Sequence, residues 1–431
     1  MDKPTEQQKL ESRKLHPVSP WIYRLLGKIV VNGVLAKKYN AHFTYADDIT
    51  KYRGQSYVVV SNHASRMDYV FTAPAFLPDT FNFVVGYNEF FRSHLAMILR
   101  MMQVVPKKNF VHQPYAIRQI IKIIRAGGRI IILPEGMSSI SGANQPCATG
   151  SGHLLKNLGV PVLYTKISGG YLTAPKFNLT DRIGRVDVVA GVLFTPEQLK
   201  EMTPDEIQRE LDEKLYHDDY EWNKTARVKF DGKGRMAENM HQLLFWCPKC
   251  GGELTMESCG DSIRCKKCGN GGHLNEYYDL IPDEGSTLPD TPRVWFDMQR
   301  EHVKEQVREP GYKLTEHVKI GELPKYRYLK KEDTSEIVGE GELTLDAEGL
   351  HFDGRRNGES YSFFVPIKQL PTYGMCTDVS RFYTFVDGEF TEFYPERDSA
   401  ELWMLATEEM HRAQGGQWQD FPWKEQAAAK K

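Results

Sequence analysis

Through the first half of the chain, short apolar runs alternate with stretches whose apolar residues recur at helical spacing. Runs of four to nine residues bounded by turn formers predict strands at 57–60, 81–86, 129–133, 160–167 and 186–194. Between them, 115–125 reads as a helix with Ile117, Ile120, Ile121 and Ile124 on one face and Gly127 as its stop, and 196–216 as a helix opened by Thr195. This alternation predicts an α/β layered domain around a central sheet. After Gly234 the pattern changes, and 247–268 is a compact stretch of Gly, Cys and Lys too short to bury its own core. Pro282, Pro289 and Pro292 mark a linker, followed by a helix over 294–308. Alternation over 341–345, 361–365, 382–386 and 389–394 then predicts antiparallel strands, with Asp387-Gly388 as a two-residue hairpin turn. A closing helix over 399–414 turns Leu402, Leu405, Ala406 and Met410 inward and stops at Gly415-Gly416.

Ahead of all this, Trp21, Ile22, Leu25, Leu26, Ile29 and Val30 recur at helical spacing around Arg24 and Lys28. Such an amphipathic helix either packs on its own domain or lies in a membrane interface. The expected organisation is a membrane-facing segment at 1–40, the α/β domain at 41–235, a metal ribbon at 240–285, a linker and helix at 286–322, a β domain at 323–416 and a tail at 417–431. That tail, with Trp418, Phe421, Trp423 and Lys424, could touch a membrane but reads first as a frayed end.

Composition narrows the function. Lys plus Arg number 55 against 57 Asp plus Glu in 431 residues, a net charge of -2, so bulk charge gives no reason to expect nucleic acid. With 41% hydrophobic and 26% charged residues the chain is of ordinary globular type. It has neither a run of about 18 apolar residues nor a secretory signal, which together with few cysteines predicts a cytoplasmic location.

Two polar turns carry the chemistry. Ser61-Asn62-His63-Ala64-Ser65-Arg66-Met67-Asp68 follows the strand at 57–60. His63 and Asp68 can meet only if His63 sits in the turn before a helix, since five helical residues rotate about 140°. A carboxylate on one ring nitrogen leaves the other free as a base, without a serine nucleophile, so a substrate hydroxyl would attack. Leu133-Pro134-Glu135-Gly136-Met137-Ser138 ends a second strand, and ligand sites of open α/β sheets gather at such strand ends.

In order and spacing, Asn62-His63-xxxx-Asp68, Leu133-Pro134-Glu135-Gly136 and Val160-Pro161-Val162 resemble the glycerolipid acyltransferases typified by lysophosphatidic acid acyltransferase, over roughly residues 41–194. The resemblance implies His63 as the base, Asp68 as its orienter, and Asn62, Glu135, Gly136 and Ser138 around the substrate. It implies transfer of a fatty acyl group from acyl-CoA or acyl-carrier protein to a lysophospholipid such as 1-acylglycerol-3-phosphate, at the inner membrane face, with no catalytic cofactor. Two departures concern the acceptor phosphate. Where the family's second motif ends in Arg this chain has Lys107 and Lys108, and Met137 and Ser138 replace the Thr and Arg of the third motif. A non-catalytic lipid- or protein-binding scaffold on the same fold is the competing expectation.

Cys247-Pro-Lys-Cys250 and Cys265-Lys-Lys-Cys268, fourteen residues apart, predict a structural zinc ribbon with four thiolates. The ribbon is locally basic at Lys249, Arg264, Lys266 and Lys267 but lacks an aromatic row for stacking bases, so no nucleic acid is expected. The antiparallel strands closed by one helix resemble a pleckstrin-homology or GRAM-like domain in pattern and order.

Overall fold

The computed structural model describes residues 3–25, 34–111 and 113–418. Its first sheet has seven strands, β1 (Ala41–Tyr45), β2 (Val58–Ser61), β3 (Asn82–Gly86), β4 (Val105–Lys107), β5 (Ile130–Ile132), β6 (Val162–Ser168) and β7 (Val186–Phe194), in the order β1-β7-β6-β2-β5-β3-β4. Neighbours run parallel except β6 and β7. Val58, Val59 and Val60 of β2 are all buried, because helices and loops cover both faces of a central parallel strand. β1 and β4 are additions to the predicted strands: both lie at sheet edges, and β1 is half exposed and β4 only three residues long.

The predicted helix over 196–216 is two helices, Pro196–Glu201 and Pro204–Leu215. Pro204 cannot donate to an interior helical bond, and Thr203 starts a new helix by accepting from the amide of Glu206 in a capping box. Helix Pro114–Arg125 packs Ile120, Ile123 and Ile124 inward, while the predicted face residue Ile117 is 43% exposed. At the N-terminus, helix Pro20–Arg24 buries Tyr23 and exposes Trp21 and Leu25. Leu26, Lys28, Ile29 and Val30 of the expected amphipathic helix lie outside the described residues, as do Phe421, Trp423 and Lys424.

The cysteine-bearing segment forms an antiparallel sheet of β8 (Met256–Cys259), β9 (Ser262–Cys265), β10 (Gly271–Leu274) and β11 (Leu280–Pro282). A third sheet follows: β12 (Leu314–Glu322), β13 (Glu336–Leu345), β14 (Gly349–Arg356), β15 (Glu359–Pro366), β16 (Gly374–Met375), β17 (Phe382–Val386) and β18 (Glu389–Pro395), ordered β15-β14-β13-β12-β18-β17-β16 and antiparallel throughout. β12 lies in the stretch read as linker and helix, yet it pairs with both β13 and β18. Asp387 and Gly388 both have positive φ, 50° and 81°, as the tight hairpin between β17 and β18 requires. Helix Ala400–Ala413 closes the sheet.

β17 is buried on both sides, and strand alternation explains how. Phe382 stacks on Trp403 of the closing helix at 5.8 Å, whereas Tyr383 and Phe385 point the other way and join Leu10, Tyr87, Phe90, Phe91 and Val104 of the N-terminal region in one cluster. The third sheet is therefore packed between its own helix and the first domain. Helix Pro292–Gln306 ties the ribbon to this unit. The side chain of Gln299, fully buried, accepts from the amides of Phe245 (2.9 Å) and Trp246 (3.1 Å) and donates to the Leu243 carbonyl (3.0 Å). Gln299→Leu strands three backbone groups away from water, and we expect it to lower unfolding stability by about 2–5 kcal/mol. A denaturant titration that leaves the midpoint unchanged would contradict this.

Candidate active site

β2 and β5 are neighbours, so the turns that follow them meet. His63 lies in the first turn and Asp68 opens helix Asp68–Thr72, which lets the carboxylate reach back: His63 Nδ1 stands 2.7 Å from Asp68 Oδ2. A separation beyond about 5 Å would have favoured the scaffold. The other Asp68 oxygen accepts from the amide (2.9 Å) and hydroxyl (3.2 Å) of Ser65. Burial pushes the Asp68 carboxyl up, opposed by its bonds to His63 and Ser65. With Nδ1 held by the carboxylate, Nε2 is the free position, and the ring keeps 20% of its surface exposed toward a cavity of about 710 Å³.

The predicted substrate residues divide. Asn62 and Glu135, each 1% exposed, sit behind the turns and hold them, rather than bordering the cavity. Asn62 exchanges two hydrogen bonds with the backbone of Ile167, 2.8 and 2.9 Å. Glu135 accepts from the amides of His63 (2.7 Å) and Gln145 (3.0 Å), and burial pushes its carboxyl well up. Gly136, at φ +78° and facing Phe110, lines the cavity with Ser138. Lys107 lines it too, and burial lowers its ammonium pKa. Lys108 does not line this cavity. Side chains alternate at the end of β4, and Lys108 instead donates to the Gly388 carbonyl (2.8 Å), pairs with Glu11 (3.1 Å) and lies over Tyr87 and Phe385.

Lys176 was not singled out from the sequence, and it stands beside Ser138, the residue in the Arg position of the third motif. Its Nζ donates to Ser138 Oγ at 3.2 Å, its only hydrogen bond among the described residues, and burial pushes its pKa down to about 8. Arg66 fixes the loop that carries it, donating to the carbonyls of Pro175, Asn178 and Leu179 and pairing with Asp181. One sequence signal could have revealed it, since Lys176 is the single charged residue between Ser168 and Thr180.

The cavity wall is two-natured. Tyr23, Leu35, Leu77, Phe83, Leu99 and Met102 supply an apolar portion, and neighbours on the same segments, Trp21, Leu25, Met97 and Met101, are exposed at 73%, 47%, 70% and 45%. The polar portion includes residues of the third sheet's domain, among them Cys376, Thr377, Tyr383 and Glu392. Cys376 is a buried thiol on the cavity wall, its Sγ donating to Asp378 Oδ1 at 2.8 Å, and Cys147 is buried as well. Trp418, expected in a frayed tail, packs edge-on against Phe110 with ring centres 5.4 Å apart.

The ribbon cysteines converge as expected. The Sγ atoms of Cys247, Cys250, Cys265 and Cys268 all lie within 4.8 Å of one another, and Cys259 is not among them. The Cys247–Cys268 and Cys250–Cys265 separations, 3.7 and 3.8 Å, fit the roughly 3.8 Å edge of a tetrahedron built on Zn–S bonds of about 2.3 Å. The donor set therefore suits zinc. Among the described residues no helix is long and apolar enough to cross a membrane.

Residues 42–167 match the family model described as Acyltransferase. Among solved structures, the chain is similar to the crystal structure of the 1-acyl-sn-glycerophosphate (LPA) acyltransferase PlsC from Thermotoga maritima, at 19% identity and a TM-score of 0.36, covering 46% of this chain and 91% of that one.

For the ribbon, metal analysis of the purified chain should find about one zinc per chain, lost in Cys247→Ser or Cys265→Ser together with ribbon folding, because metal binding supplies much of a small ribbon's folding free energy. A metal-free chain with an ordered ribbon would contradict this.

Proposed function

We propose that the chain is an O-acyltransferase that moves a fatty acyl group from acyl-CoA or acyl-carrier protein to the free hydroxyl of a lysophospholipid, working from the membrane surface. The observation that carries this reading is a His63–Asp68 pair at 2.7 Å, opening on a cavity that is apolar at one portion and cationic at another, within a segment matching an acyltransferase model. An amphiphile fits such a wall, with its chain against Leu35, Phe83 and Met102 and its phosphate toward Lys107 and Lys176. The exposed Trp21, Leu25, Met97 and Met101 give the apolar portion a greasy border, which suits contact with lipid.

In the proposed reaction, His63 Nε2 takes the proton as the acceptor oxygen attacks the thioester carbonyl, and Nδ1–H donates to Asp68, stabilising the imidazolium. The C–O bond forms, the C–S bond breaks, and the departing thiolate takes the proton back from His63. The amides of Met137 and Ser138 donate to no other group among the described residues and are available to the developing oxyanion. Four thiolates would fill zinc's coordination shell, so the ribbon metal would act in folding. The domain of β12–β18, pleckstrin-homology- or GRAM-like in this reading, would serve as a wall of the cavity.

Replacing His63 by Ala should lower acyl transfer by about 10²- to 10⁴-fold with folding intact, and Asp68→Asn should be severely impaired. Turnover at the wild-type rate in His63→Ala would defeat the mechanism. Lys176 generates a pH prediction. Its ammonium is present below about 8 and is lost above it, so kcat/KM for a phosphate-bearing acceptor should fall as pH rises through about 8. Lys176→Met should raise the acceptor KM about 10- to 100-fold, spare that of the donor and abolish this pH dependence. If the alkaline fall persists unchanged in Lys176→Met, the anion is held elsewhere.

A further inference from the structure

Most charged side chains on the cavity wall are paired. Arg66 binds Asp181, Arg92 pairs with Glu89 at 3.3 Å, and Asp68 holds His63. Two cations and one anion remain. Lys107 and Lys176 have no ion pair among the described residues, and neither has Glu392, which comes from β18 of the third sheet. Glu392 is 1% exposed, and three hydroxyls converge on its Oε2: Thr334 Oγ1 (2.6 Å), Ser335 Oγ (2.6 Å) and Tyr394 OH (2.8 Å). Its Oε1 takes no hydrogen bond among the described residues. Arg381 acts on Glu392 electrostatically without forming an ion pair with it, and a ligand that brings a positive charge to this buried carboxylate would lower its burial cost further. A neutral hydroxyl would not, and a phosphate monoester alone would bring two further negative charges to the same space.

Building on the acyltransferase reading, we propose that the headgroup is recognised by charges of both signs from two domains. Lys107 and Lys176 take the phosphate and Glu392 takes a primary ammonium, so the preferred acceptor is a zwitterionic lysophospholipid of the ethanolamine class. The third sheet would then set acceptor choice, a task the first domain's motifs leave open.

The test uses the full chain with an acyl-CoA donor and three acceptors of one acyl length in mixed micelles: lysophosphatidylethanolamine, lysophosphatidylglycerol and lysophosphatidic acid. We expect kcat/KM about tenfold or more higher for the ethanolamine acceptor, with Glu392→Gln erasing that preference through KM while leaving the glycerol acceptor within about twofold. Equal kcat/KM across the three headgroups in the wild-type chain, or a variant that loses all three acceptors alike while remaining folded, would overturn the proposal. Should Glu392→Gln misfold, the wild-type panel decides alone. Equilibrium binding of the three lipids to His63→Ala separates the two readings. Discrimination in binding without turnover of any acceptor in the wild-type chain supports the headgroup site and defeats the acyl transfer. Turnover without discrimination overturns the headgroup site and leaves acyl transfer standing.

Discussion

Glu135 accepts the amide of His63 at 2.7 Å while almost entirely sealed from water, and the amide of Ser139 donates back to the His63 carbonyl at 2.7 Å. These bonds tie the turn after β2 to the turn after β5, and the rest of the site depends on that tie. It fixes the backbone of His63, so that the ring can lie along Asp68 with Nε2 toward the cavity. Burying a carboxylate this deeply opposes its charge and pushes its pKa well up, and two backbone amides aimed at it offset part of that penalty. Asn62 adds a second anchor by clasping Ile167 on β6, which leaves the turn cross-braced to both neighbouring strands.

The same turn carries Met137 and Ser138, the two residues that depart from the third motif of the acyltransferase pattern. Met137 is buried in a core shared with Tyr171 and Phe177 of the first domain, the ribbon and the third sheet, and its Sδ accepts the amide of Met375. A polar Thr there would face a packed apolar interface. Ser138 lies beside Lys176, whose ammonium brings a cation from a different loop to the place of the missing Arg. The appended domains are thus bound into the site: β17 packs on Tyr87 and Phe91 through Tyr383 and Phe385, and Cys376, Thr377 and Glu392 border the cavity.

Much of this was legible in the sequence because local patterns carried it. The five predicted strands of the first sheet occur within two residues of their expected ends, the hairpin at Asp387-Gly388 has the backbone its dipeptide demands, and the paired CxxC motifs converge. His63 and Asp68 were readable because a turn before a helix is the one arrangement in which they meet. What was not legible is set by tertiary contacts. Whether Asn62 and Glu135 face the ligand or brace the turn depends on which side of the strand ends is covered. Lys107 and Lys108 are equivalent as sequence and diverge only through the alternation at the end of β4. Lys176 and Glu392 belong to no local motif, and they matter because folding brings distant segments to one cavity wall.

The central claim is direct acyl transfer from a thioester to a lipid hydroxyl by a base pair that forms no acyl-enzyme. Thiol release from a long-chain acyl-CoA, followed before and after a lysophospholipid is added, tests it most directly. The account predicts negligible release and no acylated protein until the acceptor arrives, then release matched by formation of diacyl product. Acylated protein forming without acceptor, or no acceptor-dependent release from either acyl-CoA or acyl-carrier protein, would contradict it.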